Sequence, residues 1–360
     1  MMKASHNTAK EFKDFWYGKK VFLTGHTGFK GSWLYYWLIE LGAVVQGYSL
    51  QNTVDKVLSD ALGIPEDNNG NINHLPELSK AINNFSPDIV LHLAAQSLVN
   101  QSLENPIETF QTNIMGTANL LEGMRGVHSI KSSVVITSDK CYQANQLGVP
   151  LLESDHFGGD DPYSASKGAA ELIVHSYKHS FFNAATSPLI STARAGNVIG
   201  GGDFSNNRIV PDIIRSVISR NALTVRNPLH VRPWQHVLDP LYGYLLMAQL
   251  QFEGLKISSG YNFGPAANEK KTVLELIEEF KIHFPDINFT HEKCKIEQPT
   301  LESPSLSLNS SLAAKELGWS NKLSFKESVE FTSNWYHAYL QNKSLQFITT
   351  EQINDYMNKI

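Results

Sequence analysis

Tyr163 and Lys167 stand four residues apart in a segment with a helical pattern. Positions i and i+4 of a helix share a face, so the Lys167 ammonium can lie beside the Tyr163 phenol and favour its ionised form. We therefore expect the pKa of Tyr163 to move from about 10 toward neutrality. A phenolate so placed is a general base, but base chemistry alone does not define a reaction.

A second group of reactive side chains follows a predicted strand. Residues 133–137, which include Val134, Val135 and Ile136, predict a strand, and Ser138, Asp139 and Lys140 come directly after it. The carboxyl ends of strands line the ligand crevices of open α/β sheets. A solvated charge pair in a turn is the alternative interpretation of Asp139 and Lys140. We disfavour it, because the strand should end beside Tyr163.

The chain opens with the pattern of a dinucleotide-binding unit. Residues 21–24 predict a buried strand, 25–31 form a G-x-x-G-x-x-G loop, 32–41 carry apolar residues at helical spacing, and 44–49 predict a second strand. Such glycines permit a tight turn, and the helix N-terminus offers free N–H groups to a pyrophosphate. A mere turn is the alternative for the glycines alone. The cofactor-binding candidates in the loop are Gly25, Thr27, Gly28, Phe29 and Gly31.

The end of the second strand leaves the type of dinucleotide open. An acid there would hold the ribose hydroxyls of NAD, and a basic residue would hold the extra phosphate of NADP. The candidates are Ser49 and Gln51, which are neither. Residues 88–95 predict a central strand that ends in Ala94 and Ala95, small enough to let a cofactor lie across them. His92 within that strand is interpreted as a core residue.

Strand and helix alternate up to about residue 200, which predicts an α/β fold, a Rossmann-type doubly wound parallel sheet with a smaller C-terminal substrate-binding lobe. We assign 18–200 to the dinucleotide-binding domain, with 236–260 returning to it, and 201–235 with 261–345 to the lobe. The stripe of apolar residues on the helical segment 105–124 is interpreted as core, and a second apolar face there would suit a dimer interface. The lobe carries arginines that suit a diphosphate, although surface arginines are common.

Composition limits the classes of partner. The chain has 360 residues, a formal charge of −5 and a pI near 6.2, which argues against nucleic acid or an anionic membrane as the main partner. Cys141 and Cys294 lie far apart in sequence, so we expect neither a disulfide framework nor a metal site. Residues 1–20 are polar and the first apolar run is short, so we expect a cytoplasmic protein.

Taken in order, these motifs resemble the extended short-chain dehydrogenase/reductase family, and within it the nucleotide-sugar 4,6-dehydratases. The resemblance covers about residues 18–339. It rests on the glycine loop, Ala94-Ala95, Tyr163 with Lys167, Arg194 with Asn197, and Arg232 with Trp234. The sequences around residues 26–33, 137–142, 195–203 and 232–237 are similar to the subgroup that acts on CDP-glucose.

Three positions matter for that narrower resemblance. Lys140 stands where dehydratases of dTDP- or GDP-sugars typically have Glu, and this distinguishes the subgroup. Asn71-Ile72 replaces an Asp-Ile pair that lies beside the adenine in relatives. The missing acid at the second-strand end is a further departure on the adenosine side.

The resemblance implies NAD as cofactor and loss of water from a nucleoside-diphosphate hexose, with CDP-glucose expected. Tyr163, supported by Lys167 and Ser138, would take the O4 proton as C4 is oxidised, and hydride would later return to C6. Lys140, in its neutral form, would remove the C5 proton, and Asp139 would hold a proton to give to O6. Further cofactor-binding candidates are Asn71, Ile72, Ala94, Ala95, Tyr163 and Lys167. Substrate-binding candidates are Gln96, Asn197, Arg208, Arg226, Arg232 and Asn262.

Two other functions remain open. A nucleotide-sugar epimerase or reductase of the same fold would need Tyr163 and Lys167, but it has no use for Asp139 and Lys140 as acid and base. A non-catalytic dinucleotide-sensing protein would be free to lose Tyr163 or Lys167, and this chain has both. The resemblance also implies a homodimer through helices 105–124 and 163–181.

Overall fold

The structure, a computed structural model, describes residues 8–51, 56–66, 69–143, 149–266, 269–291 and 306–360. Its strands are β1 (Lys20–Thr24), β2 (Val44–Tyr48), β3 (Ile89–His92), β4 (Ser132–Ile136), β5 (Leu189–Ala195), β6 (Val198–Ile199), β7 (Leu223–Val225), β8 (Val231–Arg232), β9 (Gln235–His236), β10 (Gly260–Phe263), β11 (Lys271–Thr272) and β12 (Phe289–His291).

Helices occupy most of the remaining described chain. They are α1 (Ala9–Trp16), α2 (Phe29–Glu40), α3 (Val57–Ala61), α4 (Leu75–Phe85), α5 (Val99–Glu104), α6 (Pro106–Phe110), α7 (Gly116–Met124), α8 (Pro162–Ser180), α9 (Ile209–Ser219), α10 (Leu238–Phe252), α11 (Val273–His283), α12 (Ser311–Leu317), α13 (Phe325–Leu340) and α14 (Leu345–Met357). A π-helical turn, Gln111–Met115, joins α6 to α7, and a 3₁₀ turn spans Asp139–Cys141.

A parallel sheet of six strands forms the centre, in the order β2-β1-β3-β4-β5-β10. In β1, Val21 pairs with Val45 of β2 on one side and with Ile89 of β3 on the other. From β1 the sheet therefore extends to β2 on one side, and to β3 and the later strands on the other. A crevice at the carboxyl ends of β1 and β3 is where ligands bind in such sheets.

Both faces of the sheet are covered, because successive side chains in a strand point to opposite faces. Phe22 of β1 packs in one cluster with residues of α4 and α7, including Leu78 and Leu120. Its neighbours Val21 and Leu23 belong to the other, larger cluster, which includes side chains of α2 and α10. Helices on both faces confirm the predicted doubly wound α/β fold.

The C-terminal part differs from the sequence prediction at one domain bound. Helix α10 lies in the segment expected to return to the sheet, but β10 pairs with β5, so the sheet extends to residue 263 and not to 260. The segment 231–237 forms two short strands, β8 and β9, on either side of Pro233, which has no N–H to donate to a ladder. Beyond residue 342 the chain forms α14 and buries Ile353 and Tyr356.

Outside the sheet, short two-stranded ladders pair β6 with β9, β7 with β12 and β8 with β11. A search of the described helices finds none long and apolar enough to cross a lipid bilayer.

Candidate active site

Ser138 organises the turn that follows β4. Its Oγ accepts a hydrogen bond from the Lys140 N–H at 3.2 Å and donates one to Asp139 Oδ1 at 2.9 Å. A serine that caps a turn in this way satisfies a backbone donor that would otherwise lack a partner. The turn therefore places the hydroxyl, the acid and the amine side by side.

Helix α8 presents the Tyr–Lys pair to the same strand end. Asp161 caps its first turn by accepting the Ser164 N–H at 2.9 Å, and Pro162 takes the first helical position, where no N–H is needed. Tyr163 and Lys167 are both buried. The Lys167 ammonium donates to the Ile136 carbonyl oxygen at 3.3 Å, which holds this helix face against the end of β4.

The expected fall in the pKa of Tyr163 is wrong for this state of the protein. Burial raises the pKa of Tyr163 to about 12, although the adjacent Ser138 hydroxyl and the charge of Arg208 oppose the rise. Burial also lowers the pKa of Lys167 to about 8. Helical spacing indicates a neighbouring charge but not desolvation, which disfavours the charged form of both side chains.

Asp139 has the environment of a proton donor. Burial raises its pKa, against the opposing charges of Lys140, Lys30 and Arg232 and the hydrogen bond from Ser138. Its Oδ2 is buried without a hydrogen-bond partner among the described residues. A protonated carboxyl avoids the cost of an unpaired buried charge, so the expectation that Asp139 can hold a proton agrees with its surroundings.

The glycine loop forms a cradle at the N-terminus of α2. Gly25 has φ +72°, and a β-carbon there would lie 2.7 Å from the Ala94 nitrogen. A β-carbon on Gly31 would collide with the Gly25 carbonyl oxygen. Gly28, by contrast, is exposed at the N-cap, where a β-carbon would meet only the Gly25 oxygen at 3.5 Å. The loop thus packs tightly inward and leaves its outer N–H groups accessible to a phosphate.

The remaining cofactor candidates lie around this cradle. The Thr27 hydroxyl is 3.0 Å from the Ser49 hydroxyl, so the end of β2 carries a hydroxyl pair. The Phe29 ring points toward Gly200, whose added β-carbon would lie 3.2 Å from it. Ala95 follows Ala94 beyond β3, and both are half-buried.

Asn71 and Ile72 follow an isolated parallel bridge between Ser49 and Asn69 at the edge of the sheet. Asn71 Oδ1 accepts the Asn73 N–H at 2.9 Å, and the buried Ile72 packs on Gly116, whose added β-carbon would collide with it.

The charges of two candidate arginines affect the pKa values of Tyr163 and Asp139. Arg208 forms an ion pair with Asp203 at 3.1 Å, donates to Ser97 Oγ at 3.3 Å, and its charge lowers the pKa of Tyr163. The charge of Arg232 likewise lowers the pKa of Asp139. Arg226 is exposed at the end of β7.

The amide candidates differ in their surroundings. Gln96 is bonded within the protein, because its Nε2 donates to Thr109 Oγ1 at 2.9 Å and to the Leu98 carbonyl at 3.0 Å. Asn262 is fully buried and donates to the Leu151 carbonyl at 3.0 Å. Asn197 is half-buried, and its carbonyl accepts the Gln235 N–H at 3.1 Å.

Lys30 is a site residue that the sequence analysis missed. It lies in the glycine loop in the first turn of α2, and its charge acts on Asp139. Burial, with the charges of Arg208 and Lys167, lowers the pKa of Lys30 to about 8. A lysine between two glycines of a predicted phosphate loop was the available signal. Among the described residues, no group of three His, Cys, Asp or Glu side chains could hold a metal ion.

The arrangement supports two proton transfers at one strand end. The Tyr163 phenol interacts with the Ser138 hydroxyl, and the buried Lys167 follows four residues later on α8. Asp139 and Lys140 supply an acid and an amine on the adjacent turn. The glycine cradle lies on the same edge of the sheet and suits a dinucleotide.

Comparisons with known proteins agree with this geometry. The family model for GDP-mannose 4,6 dehydratase matches residues 22–332. The CDP-glucose 4,6-dehydratase of Salmonella typhimurium is 42% identical over 355 residues, covering 96% of this chain and 98% of that protein.

Solved structures show the same fold. An epimerase from Methanothermobacter thermautotrophicus superimposes with a TM-score of 0.79 at 22% identity, covering 94% of this chain and 98% of its own. The dTDP-glucose 4,6-dehydratase of Bacillus anthracis in complex with NAD gives a TM-score of 0.72 at 20% identity, covering 92% of this chain and 100% of its own.

Proposed function

Because the chain belongs to the GDP-mannose 4,6 dehydratase family, we propose that it is a CDP-glucose 4,6-dehydratase. It removes water from CDP-D-glucose and forms CDP-4-dehydro-6-deoxy-D-glucose. The relative that carries that name and matches nearly the whole chain supports the choice of cytidine. Nucleoside-diphosphate sugars carry phosphate charges that do not cross membranes unaided, so a cytoplasmic location belongs to the proposal.

The observation that carries this function is the pairing of two reactive sets at the end of β4. Tyr163 and Ser138 handle the O4 proton when C4 is oxidised or reduced, and the dinucleotide would exchange the hydride. The adjacent turn adds a buried acid, Asp139, and an amine, Lys140. Elimination of water needs such an acid and base, because the C5 proton must leave and O6 must depart as water.

Each residue then has a defined task. Because burial raises the pKa of Tyr163 to about 12, the phenol must lose its own proton before it takes the O4 proton, and the Ser138 hydroxyl holds O4 beside it. The ketone at C4 makes the C5 proton acidic, and Lys140 removes it. Asp139, whose pKa is raised by burial, donates a proton to O6. Arg208 and Arg232 supply positive charge for the diphosphate.

The glycine cradle fits NAD, because its outward N–H groups and the α2 N-terminus suit a pyrophosphate. NAD, when bound there, supplies the acceptor for hydride from C4 and the donor that returns it to C6. Lys167 stays close to Tyr163 on α8, and Lys30 adds a cation beside the phosphate loop.

An epimerase is the second candidate function. Of the two solved structures described above, the one with the higher TM-score is an epimerase. An epimerase returns hydride to C4 and leaves O6 in place. The acid at Asp139, buried with an unpartnered oxygen, has no task in that reaction. This difference favours dehydration.

A homodimer is also part of the proposal. The segment from α6 to α7 packs against α8, and both expose large apolar side chains. Ile107 is 66% exposed, Met115 53% and Leu172 58%. Apolar patches of this kind mark interaction surfaces on soluble proteins. Light scattering of the wild type and of Leu172→Glu tests it, since the variant should be monomeric.

The substrate is tested by incubation with CDP-, dTDP-, GDP- and UDP-glucose in the presence of NAD. We expect a 4-keto-6-deoxy product from the CDP-sugar, with no net change in NADH absorbance at the end of the reaction. A C4 epimer as product, or net formation of NADH, would overturn the proposed function.

A further inference from the structure

A buried ion pair lies behind the catalytic turn. Glu171 of α8 and Arg194 of β5 are 3% and 4% exposed. Arg194 Nε donates to Glu171 Oε1 at 2.7 Å, and Nη2 donates to Oε2 at 2.8 Å. A bidentate pair of this kind has a fixed geometry as well as a favourable energy. Burial by itself lowers the pKa of Arg194, but the Glu171 carboxylate outweighs it and raises the pKa.

The pair is bonded to both ends of the segment that carries the acid and the base. At the first end, Thr137 Oγ1 donates to Glu171 Oε1 at 2.5 Å. At the other end, Arg194 Nη1 donates to the Tyr142 hydroxyl at 2.6 Å. Ser138, Asp139 and Lys140 lie between these two anchors.

The second anchor is held by further contacts. The Tyr142 hydroxyl donates to Asn262 Oδ1 at 2.7 Å, and Asn262 in turn bonds the Leu151 carbonyl. The Arg194 guanidinium also lies over the rings of Tyr142 and Phe157, at 5.2 and 5.0 Å from their centroids. Such cation–π contacts fix the plane of the guanidinium as well as its position.

We propose that Glu171, Arg194 and Tyr142 are positioning residues for the elimination step. The ion pair clamps residues 137–142 at both ends and so sets where Asp139 and Lys140 stand relative to C5 and O6. This inference rests on the proposed function for its chemistry. Tyr163 and Lys167 sit on α8 and have their own anchors at Asp161 and Ile136. Ser138 adjoins the Thr137 anchor, which does not involve Tyr142, so oxidation at C4 depends less on the Tyr142 anchor.

Tyr142→Phe removes the hydroxyl between Arg194 and Asn262 and keeps the ring. In a single turnover, we expect elimination to slow about tenfold, as loss of one buried hydrogen bond in a reactive arrangement would give. Oxidation at C4 should keep its rate. Reduced cofactor would therefore accumulate at 340 nm before the product appears.

Tyr261→Phe is the matched control. Tyr261 is also fully buried, but its hydroxyl bonds Glu316 and the Ser258 N–H, away from the catalytic turn. Tyr261→Phe should lower the free energy of unfolding without changing the ratio of the oxidation and elimination rates. If Tyr142→Phe slows both steps equally, or leaves both unchanged, the positioning role is wrong. Wild type that forms no 4-keto-6-deoxy product would instead show that the proposed function is wrong.

Amide hydrogen exchange tests the clamp without the reaction. In Tyr142→Phe, amides of residues 138–142 should exchange faster than in wild type and in Tyr261→Phe, while exchange in β4 is unchanged. Unchanged exchange in this segment would contradict the clamp whatever the substrate proves to be.

Arg194→Ala allows a rescue experiment. A cavity of about 690 Å³ is lined by Arg194 and Glu171 on one side and by the exposed Lys315 on another, so a guanidinium ion can reach the vacated position. Guanidinium at low millimolar concentration should restore the elimination rate of this variant, and sodium at the same ionic strength should not. Rescue of C4 oxidation and elimination to the same extent would overturn the proposal in favour of a purely structural pair.

Discussion

Asp139 and Gly196 lie so close together that a β-carbon on Gly196 would stand 3.0 Å from Asp139 Oδ2. The same β-carbon would be 2.7 Å from Pro233 Cγ, so it could not move away from the acid. Oδ2 is the buried oxygen that lacks a partner among the described residues. A glycine at this position therefore leaves space for the carboxyl group of Asp139 and for a proton on Oδ2.

Gly196→Ala should displace Asp139 and slow elimination more than oxidation. Overpacking typically costs about 1–3 kcal/mol, and the same cost on the elimination barrier lowers its rate about 5- to 150-fold. Stopped-flow absorbance at 340 nm should show reduced cofactor accumulating. Gly123→Ala, on α7, is the control, because its nearest neighbours are Ile82 and Ser79. Unaltered kinetics in Gly196→Ala would show that Asp139 is not confined as the structure indicates.

Lys140→Met should block removal of the C5 proton, with a loss of about 10²- to 10⁴-fold, the usual contribution of a positioned base. The measurement is incorporation of solvent deuterium at C5 in D₂O, followed by mass spectrometry. Cofactor reduction should persist in this variant, whereas Tyr163→Phe should abolish it. Lys178→Met removes a lysine bonded to Ser259, away from the turn, and should behave as wild type. Normal deuterium incorporation in Lys140→Met would remove Lys140 as the base.

Two glycines of the loop should respond differently to alanine. Gly28→Ala has room for its methyl group in the free protein, so the melting temperature should stay within a few degrees of wild type. The added carbon would stand where a phosphate approaches the helix N-terminus, so NAD affinity should fall at least about tenfold. Gly31→Ala should lose stability as well, because its methyl group collides with the Gly25 carbonyl. Calorimetric titration and thermal unfolding measure the two effects, and unchanged NAD binding by Gly28→Ala would contradict the cradle.

The buried His92 should make the protein sensitive to acid. It lies between Thr24 at 2.7 Å and Thr117 at 3.2 Å, and burial lowers its pKa to about 3. In the unfolded chain its pKa is about 6.5. The stability that neutral His92 contributes is therefore complete above pH 6.5 and is lost as the pH falls toward 3. The loss amounts to about 1.4 kcal/mol per pH unit.

Urea unfolding of wild type and His92→Gln between pH 6.5 and 4.5 isolates this contribution, because all other titrating groups are common to both proteins. The free energy of unfolding should decline less steeply in the variant. Parallel curves would mean that His92 does not remain neutral in the folded state.

Local patterns predicted the parts of the site that lie within one element and its turn. The strand–loop–helix unit from β1 to α2 follows from apolar runs and glycine spacing, and the placement of Tyr163 and Lys167 follows from helical periodicity. Ser138 comes directly after a predicted strand that is rich in β-branched residues. For these segments, the sequence neighbours of each residue are also its structural neighbours.

What could not be predicted depends on residues distant in sequence. Asn113 makes the π-helical turn part of the site's support, because its amide bonds the Gln96 backbone and donates to Ser166 Oγ at 2.8 Å. Arg194 contacts Glu171 and Tyr142, although both are distant from it in sequence. The pKa of Tyr163 is set mainly by burial, which no spacing rule measures. The pKa of Lys30 depends in part on the charges of Arg208 and Asp139, which are distant from it in sequence.

In the proposed reaction, hydride leaves C4 and returns to C6 of the same sugar. CDP-D-glucose labelled with deuterium at C4 tests this transfer directly, by NMR and mass spectrometry of the product formed by the wild-type protein with unlabelled NAD. Deuterium is expected at C6 of the 4-keto-6-deoxy sugar. Deuterium retained at C4 of an epimer, or found in free reduced cofactor and not at C6, would contradict it.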